Sequence, residues 1–139
     1  MTAKEFMSQA YRLDQRINCK IDQLADLNDL AKKATSTLTG MPHNPNKDVS
    51  SLENTIVKIV NLQEEINRDI DRLVDLKREI RDAIEKVEDI DYRFLLEKRY
   101  LCWASWPEIA MEMNVSCRRL FQLHTEALEK ISVGDERLQ

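Results

Sequence analysis

The sequence predicts an all-α protein, with a long antiparallel helical hairpin over residues 1–90 and a three-helix module over residues 91–139. Three observations carry this expectation. Only two glycines and three prolines occur in 139 residues, whereas strand-and-turn folds need many special backbone positions. One third of the residues are charged, and Leu, Ile, Ala, Glu, Lys and Arg recur throughout, which is the composition of long helices and coiled coils. Two long stretches also repeat apolar residues every seven positions.

The first stretch runs from about Ala3 to Leu38. Ala10, Ile17, Leu24, Ala31 and Leu38 form one heptad series, and Phe6, Leu13, Lys20, Leu27 and Ala34 a second. Ile21 stands beside the one polar break, Lys20. Two series at alternating spacings of three and four make a seam down one side of a helix. Residues 35–51, TSTLTGMPHNPNKDVSS, then combine glycine, prolines and short polar residues, so the helix must break there. Ser50 or Ser51 is a suitable N-cap for a second helix.

That second helix is expected from about Leu52 to Glu88. Leu52, Ile59, Ile66, Leu73, Ile80 and Val87 recur every seven residues, with Ile56, Ile70 and Ile84 as a companion series interrupted by Gln63 and Lys77. Leu62, Leu76 and Ala83 widen the stripe. Each helix is about 50 Å long at 1.5 Å per residue, and neither can bury its seam alone. Pairing the two seams as an antiparallel coiled coil is the simplest solution; closure within one chain and closure between chains both fit the pattern, so a homo-oligomer through the hairpin is expected. Charges outside the seam, such as Glu64 with Arg68 and Arg78 with Asp82, are spaced to support the helix and keep it soluble.

Beyond Val87 the periodicity changes. Asp89 and Asp91 can each cap a new helix, from Tyr92 to about Trp103, with Phe94, Leu95, Tyr100 and Leu101 facing inward. Ser105-Trp106-Pro107-Glu108 has capping-box spacing, and proline is harmless in a first turn. The short helix it starts, Trp106 to Met113, presents Ile109, Ala110 and Met113 inward. Asn114-Val115 supplies the turn, because asparagine tolerates a left-handed backbone. Ser116 then caps a helix from Cys117 to about Ile131, with Leu120, Leu123, Ala127, Leu128 and Ile131 inward. A capped short helix, a tight turn and a second capped helix make a helix-turn-helix.

Residues 96–131, LEKRYLCWASWPEIAMEMNVSCRRLFQLHTEALEKI, resemble the fourth region of bacterial primary sigma factors, whose pattern is roughly LRYxxxxSxxEIAxxLxVSxxxVxxLxxxALxKL. The start MTAKEF, the middle TLTGMP and the stretch IVKIVNLQEEINRDIDRLVDLKREI resemble small proteins of Gram-positive phages and integrative elements, the ArpU-like or RinA-like late transcription regulators. These resemblances imply a sequence-specific regulator of phage or mobile-element genes that binds double-stranded DNA. The helix after Ser116 would enter the major groove. Cys117, Arg118, Gln122 and Thr125 lie on its outward face, where Arg118 suits guanine and Gln122 adenine. Arg119 matches an arginine that serves the phosphate backbone, and Ser116 with the free amides of the helix start suits another phosphate. Arg93, Lys98 and Arg99 on the preceding helix are candidate flanking phosphate contacts.

The chain departs from the pattern at Phe121, a position usually polar, and at His124 and Glu126. His124 is expected at the surface, and Trp103 and Trp106 in packing around the turn. The whole chain carries a net charge of −4, and residues 91–139 hold seven Lys/Arg against eight Asp/Glu. A module this neutral should bind DNA weakly by itself, since phosphate neutralisation supplies the basal affinity; dimerisation or RNA polymerase as a partner would supply the rest. Two other functions fit the pattern: an adaptor that binds RNA polymerase or another regulator instead of DNA, and a small terminase-like component of DNA packaging.

Other classes find little support. No nucleophile, base and orienter stand at recognisable spacing, and no glycine-rich phosphate loop occurs, so an enzyme is not expected. Neither long helix holds a histidine, which removes the Glu-x-x-His metal pairs of helical bundles; no cofactor or metal is expected. His43 and His124 lack companions. Cys19, Cys102 and Cys117 form no CxxC pair and read as reduced thiols, Cys117 as a passive small residue. No run approaches the ~20 apolar residues of a membrane span, and the first residues lack the apolar core of a signal peptide. A cytoplasmic protein of a bacterial host is expected.

Overall fold

A computed structural model describes residues 1–38 and 45–131. Five α-helices occur among them: α1 (Ala3–Leu38), α2 (Pro45–Glu85), α3 (Ile90–Leu96), α4 (Trp106–Met113) and α5 (Cys117–Ile131), with a π-helical turn at Glu97–Leu101 directly after α3. No strand occurs among the described residues, so the fold class is all-α. The second long helix begins earlier than its pattern suggests. Ser50 and Ser51 lie inside α2, because Pro45 fits a helical first turn whose amides need no intrahelical partner. The rest of the expected break, with His43, lies outside the described residues.

The chain divides into two compact units: Met1–Leu13 with the chain from Leu73 onward, and Asp14–Arg72. Among the described residues, the second unit consists of parts of α1 and α2. Ile17 and Ile66 are buried there, and Leu24, Leu27, Ile59 and Leu62 are half-buried. Lys20 is turned into this seam and reaches Asp69 at 2.5 Å and Glu65 at 3.7 Å. The polar break in α1 thus meets an opposite charge, a device that specifies register where an apolar layer would tolerate slippage.

That pairing corrects the expected companion series of α2 at Ile56 and Ile70, while its third member, Ile84, is fully buried as expected. Thr55, Leu62 and Asp69 are the partly buried partners of Leu52, Ile59 and Ile66, whereas Ile56 and Ile70 are 47% and 40% exposed. Ile21 is likewise exposed, while Lys20 beside it faces in. A heptad seam has two flanks one residue apart, and side-chain hydrophobicity does not choose between them. Lys20 and Asp69 meet on the flank that turns inward.

The first unit holds the main core. Phe6, Met7 and Ala10 of α1 and Ile80, Ile84 and Val87 from the α2 end pack with Leu95, Leu96, Tyr100, Ile109, Leu120 and Ala127 of the short helices. The short helices α3 to α5 therefore share one core with the ends of both long helices. Each fully buried large side chain in it contributes about 1.5–3 kcal/mol.

Local signals set the short elements. Asp89 caps α3 by accepting the amides of Asp91 and Tyr92 at 2.9 and 3.1 Å. Ser105 and Glu108 form the expected capping box, and Asn114 ends α4 in the left-handed region at φ 56°. Ser105→Ala should cost about 1 kcal/mol, from a usual range of 0.5–2, read as a lower urea midpoint with an unchanged denaturant slope. Glu108→Ala in the Ser105→Ala background should add little, since the box is already broken.

The helix after Asp89 departs from its expected form. It is α-helical only to Leu96, then widens into the π-helical turn, and Leu96 is fully buried whereas Phe94 and Leu101 are half-buried. Inserting a wide turn rotates later side chains relative to earlier ones. Trp103 follows in the left-handed region at φ 55°, unusual for a bulky residue, and its indole nitrogen is buried without a hydrogen-bond partner. Its ring is held by the edge of Tyr11 at 5.8 Å and by the Lys77 ammonium at 4.4 Å. Packing against α1 and α2 thus offsets a local backbone and desolvation cost.

Candidate nucleic-acid interface

The outward face of α5 is built by its buried one. Leu120, His124, Ala127 and Ile131 are buried at helical spacing, which leaves Ser116, Cys117, Arg118, Arg119, Phe121, Gln122 and Thr125 exposed. Ser116 Oγ accepts the Arg119 amide at 3.1 Å, so this hydroxyl caps the helix and fixes where its first turn begins. Arg119 Nη1 donates to Gln122 Oε1 at 3.2 Å; the two side chains act as a pair. The Thr125 hydroxyl donates to the Phe121 carbonyl within the same helix. Arg118 and Cys117 complete the first turn, and Cys117 is a free thiol.

An aromatic and hydrogen-bonded scaffold holds this helix from behind. Trp106 at the start of α4 meets the Phe121 ring edge-on at 5.3 Å and the His124 ring at 4.7 Å. Phe121, at its unusual position, therefore clasps α4 with one side while remaining 49% exposed. The Tyr92 hydroxyl donates to Glu126 at 2.7 Å and joins α3 to α5; this hydrogen bond, then burial, raises the phenol above its ordinary range.

His124 is a correction. It is 8% exposed, with Nε2 2.6 Å from the Tyr100 hydroxyl. Burial, then the nearby charges of Lys4 and Arg99, lowers its pKa to about 4, and burial pushes Tyr100 up to about 12. Both groups are therefore neutral near pH 7, and the imidazole tautomer sets which of the two donates. A lone histidine among helix-surface residues reads as exposed; only Tyr100, 24 residues away, supplies the partner that allows burial.

The three cations expected to flank the site are already engaged. Arg93 donates twice to the Val87 carbonyl, at 3.1 and 2.9 Å, and ties the start of α3 to the end of α2. Arg99 donates to the Ala104 carbonyl and lies 4.3 Å over the Trp106 ring. Lys98 pairs with Glu112 at 3.4 Å and sits over Phe94. Arg93 and Arg99 are half-buried and act first as structural ties.

Among the described residues, no group of three or more His, Cys, Asp or Glu side chains could hold a metal ion, and no helix is long and apolar enough to cross a membrane. A family model described as a protein of unknown function, DUF1492, matches residues 47–132, more than half of the chain and the whole stretch that carries α3 to α5. No curated protein and no solved structure matches the chain.

Proposed function

The chain belongs to the DUF1492 family, and we propose that it is a DNA-binding transcription regulator, of phage or mobile-element genes, that reads the major groove with α5. The observation that carries this reading is the exposed face of the first two turns of α5, which offers Arg118, Arg119 and Gln122 together on a helix that is capped and packed from behind. A recognition helix needs that combination: donors toward base edges and phosphates, and a scaffold that keeps them in register. The resemblance to sigma-factor region four supports the same assignment. The near-neutral charge of the module makes dimeric binding the natural mode, with the two long helices as the oligomerising element in a cytoplasmic, non-enzymatic protein.

Fluorescence anisotropy with duplexes drawn from around its own gene, across a salt series, tests the reading. Wild type should bind specifically, with affinity falling steeply as salt rises, and an Arg118/Arg119/Gln122 triple alanine variant should lose the specific component. Equal binding by the two proteins would remove α5 as the reading helix.

An adaptor function is the second reading. It is favoured by Met111, 80% exposed on α4, and by half-exposed Phe121, since exposed aromatic and methionine side chains suit protein interfaces. Retention of RNA polymerase by the immobilised protein, without any binding to duplex DNA, would support it.

A further inference from the structure

Sequence confines the DNA contacts to residues 91–139, yet the fold brings the opposite end of the chain to the same helix. In the first unit, Thr2, Ala3 and Lys4 line an open groove of about 410 Å³ with Thr125, Leu128 and Glu129 of α5. Thr125 stands three residues after Gln122 and seven after Arg118, spacings that share one helix face. Lys4 is exposed. Its backbone is held firmly: Thr2 and Glu5 form a reciprocal capping box at 3.1 Å each, and Phe6 and Met7 are buried in the core. The Lys4 charge also acts on His124, which lines the same groove and for whose lowered imidazole pKa it is the second cause.

We propose that Lys4 is a flanking DNA-backbone contact, placing one phosphate of the duplex beside α5 at the Thr125 end of its reading face. This rests on the DNA-binding reading of α5 and adds to it a contact from outside the stretch matched by the family model. Arg93, Lys98 and Arg99 have carbonyl, carboxylate or aromatic partners in the fold, whereas Lys4 stands on a rigid turn at the rim of the outward face. Its role is positional. A phosphate contact fixes register on the duplex and carries no base information. The Glu129 side chain lines the same groove.

The test compares full-length wild type with Lys4→Gln and the charge-matched control Lys58→Gln on the same duplexes. Lys4→Gln should weaken binding roughly three- to tenfold at moderate salt and reduce the slope of log affinity against log salt by about 0.9, the value for one phosphate. Its ranking of duplex sequences should stay unchanged. A Lys4→Gln loss no larger than that of Lys58→Gln, an unchanged salt slope, or an altered base preference would each overturn the proposal. Unfolding curves of the variants separate lost contacts from lost fold. If wild type binds and only the triple alanine variant fails, α5 stands as the reader and Lys4 is not part of the interface. If wild type binds no duplex, the reading of α5 fails first and Lys4 with it.

Discussion

Acidification from pH 7 to pH 4 should remove about 3 kcal/mol of stability through His124 alone. The imidazole pKa is lowered to about 4 in the fold, against an ordinary value near 6.5. Below pH 6.5 the unfolded chain takes up a proton that the folded chain refuses. The stabilising contribution is therefore complete above about pH 6.5, is lost progressively as pH falls to about 4, and changes no further below that. The cause is geometric: a protonated ring would place a charge in the core between Tyr100 and Trp106, with Lys4 and Arg99 adding like charge. Urea unfolding of wild type and His124→Gln at pH 7, 5.5 and 4.5 measures it. Glutamine keeps a partner for the Tyr100 hydroxyl but does not titrate, so its stability should vary less over this interval. Parallel pH dependence in the two proteins would assign acid sensitivity to the carboxylates instead. Because His124 lies on α5, DNA binding should weaken over the same window, and the His124→Gln variant should resist that loss.

The second large effect concerns the seam of the long helices. Replacing both Lys20 and Asp69, as Lys20→Met with Asp69→Leu, should raise stability by about 1–4 kcal/mol, the gain seen when apolar packing replaces a buried ion pair. The side chains are 17% and 20% exposed, so most of their hydration is already lost. Either single substitution should destabilise, because it strands the other charge among Ile17, Ile66 and their neighbours. Glu65 at 3.7 Å should make Asp69→Leu the milder of the two, since Lys20 keeps one carboxylate. A double-mutant cycle by chemical denaturation reads the coupling; additive single effects would show that the pair does not specify the seam. The stabilised double variant should also tolerate other pairings of the helices, visible as a change in oligomeric state with concentration.

Both effects arise where sequence reasoning and structure part company. Lys20 reads as a polar break in a heptad series; in the fold it pairs with Asp69 on the inward flank of α2. His124 reads as a surface residue because its partner, Tyr100, sits across a turn and another helix. The partners of the flanking cations were hidden for a related reason. Arg93, Lys98 and Arg99 are basic residues at suitable spacing, but spacing does not report a carbonyl such as that of Val87 or Ala104 waiting beside the guanidinium. One local signal could have marked the Lys4 end: Thr2 and Glu5 have capping-box spacing, which makes a rigid helix start at the second residue.

What the sequence by itself determined is whatever depends on neighbours along the chain. The two long helices, the capping box at Ser105, the left-handed Asn114, the Ser116 cap and the apolar face of α5 all arise from residues within one or two turns. Backbone sterics and local hydrogen bonds act over that range, so these features are legible without a fold. Tertiary structure alone decided the inward flank of α2, the burial of His124, the π-helical turn with strained Trp103, and the meeting of the α1 start with α5. Each depends on a partner far away in sequence, and the free energy of burying a polar or apolar group is set by what surrounds it, not by what precedes it.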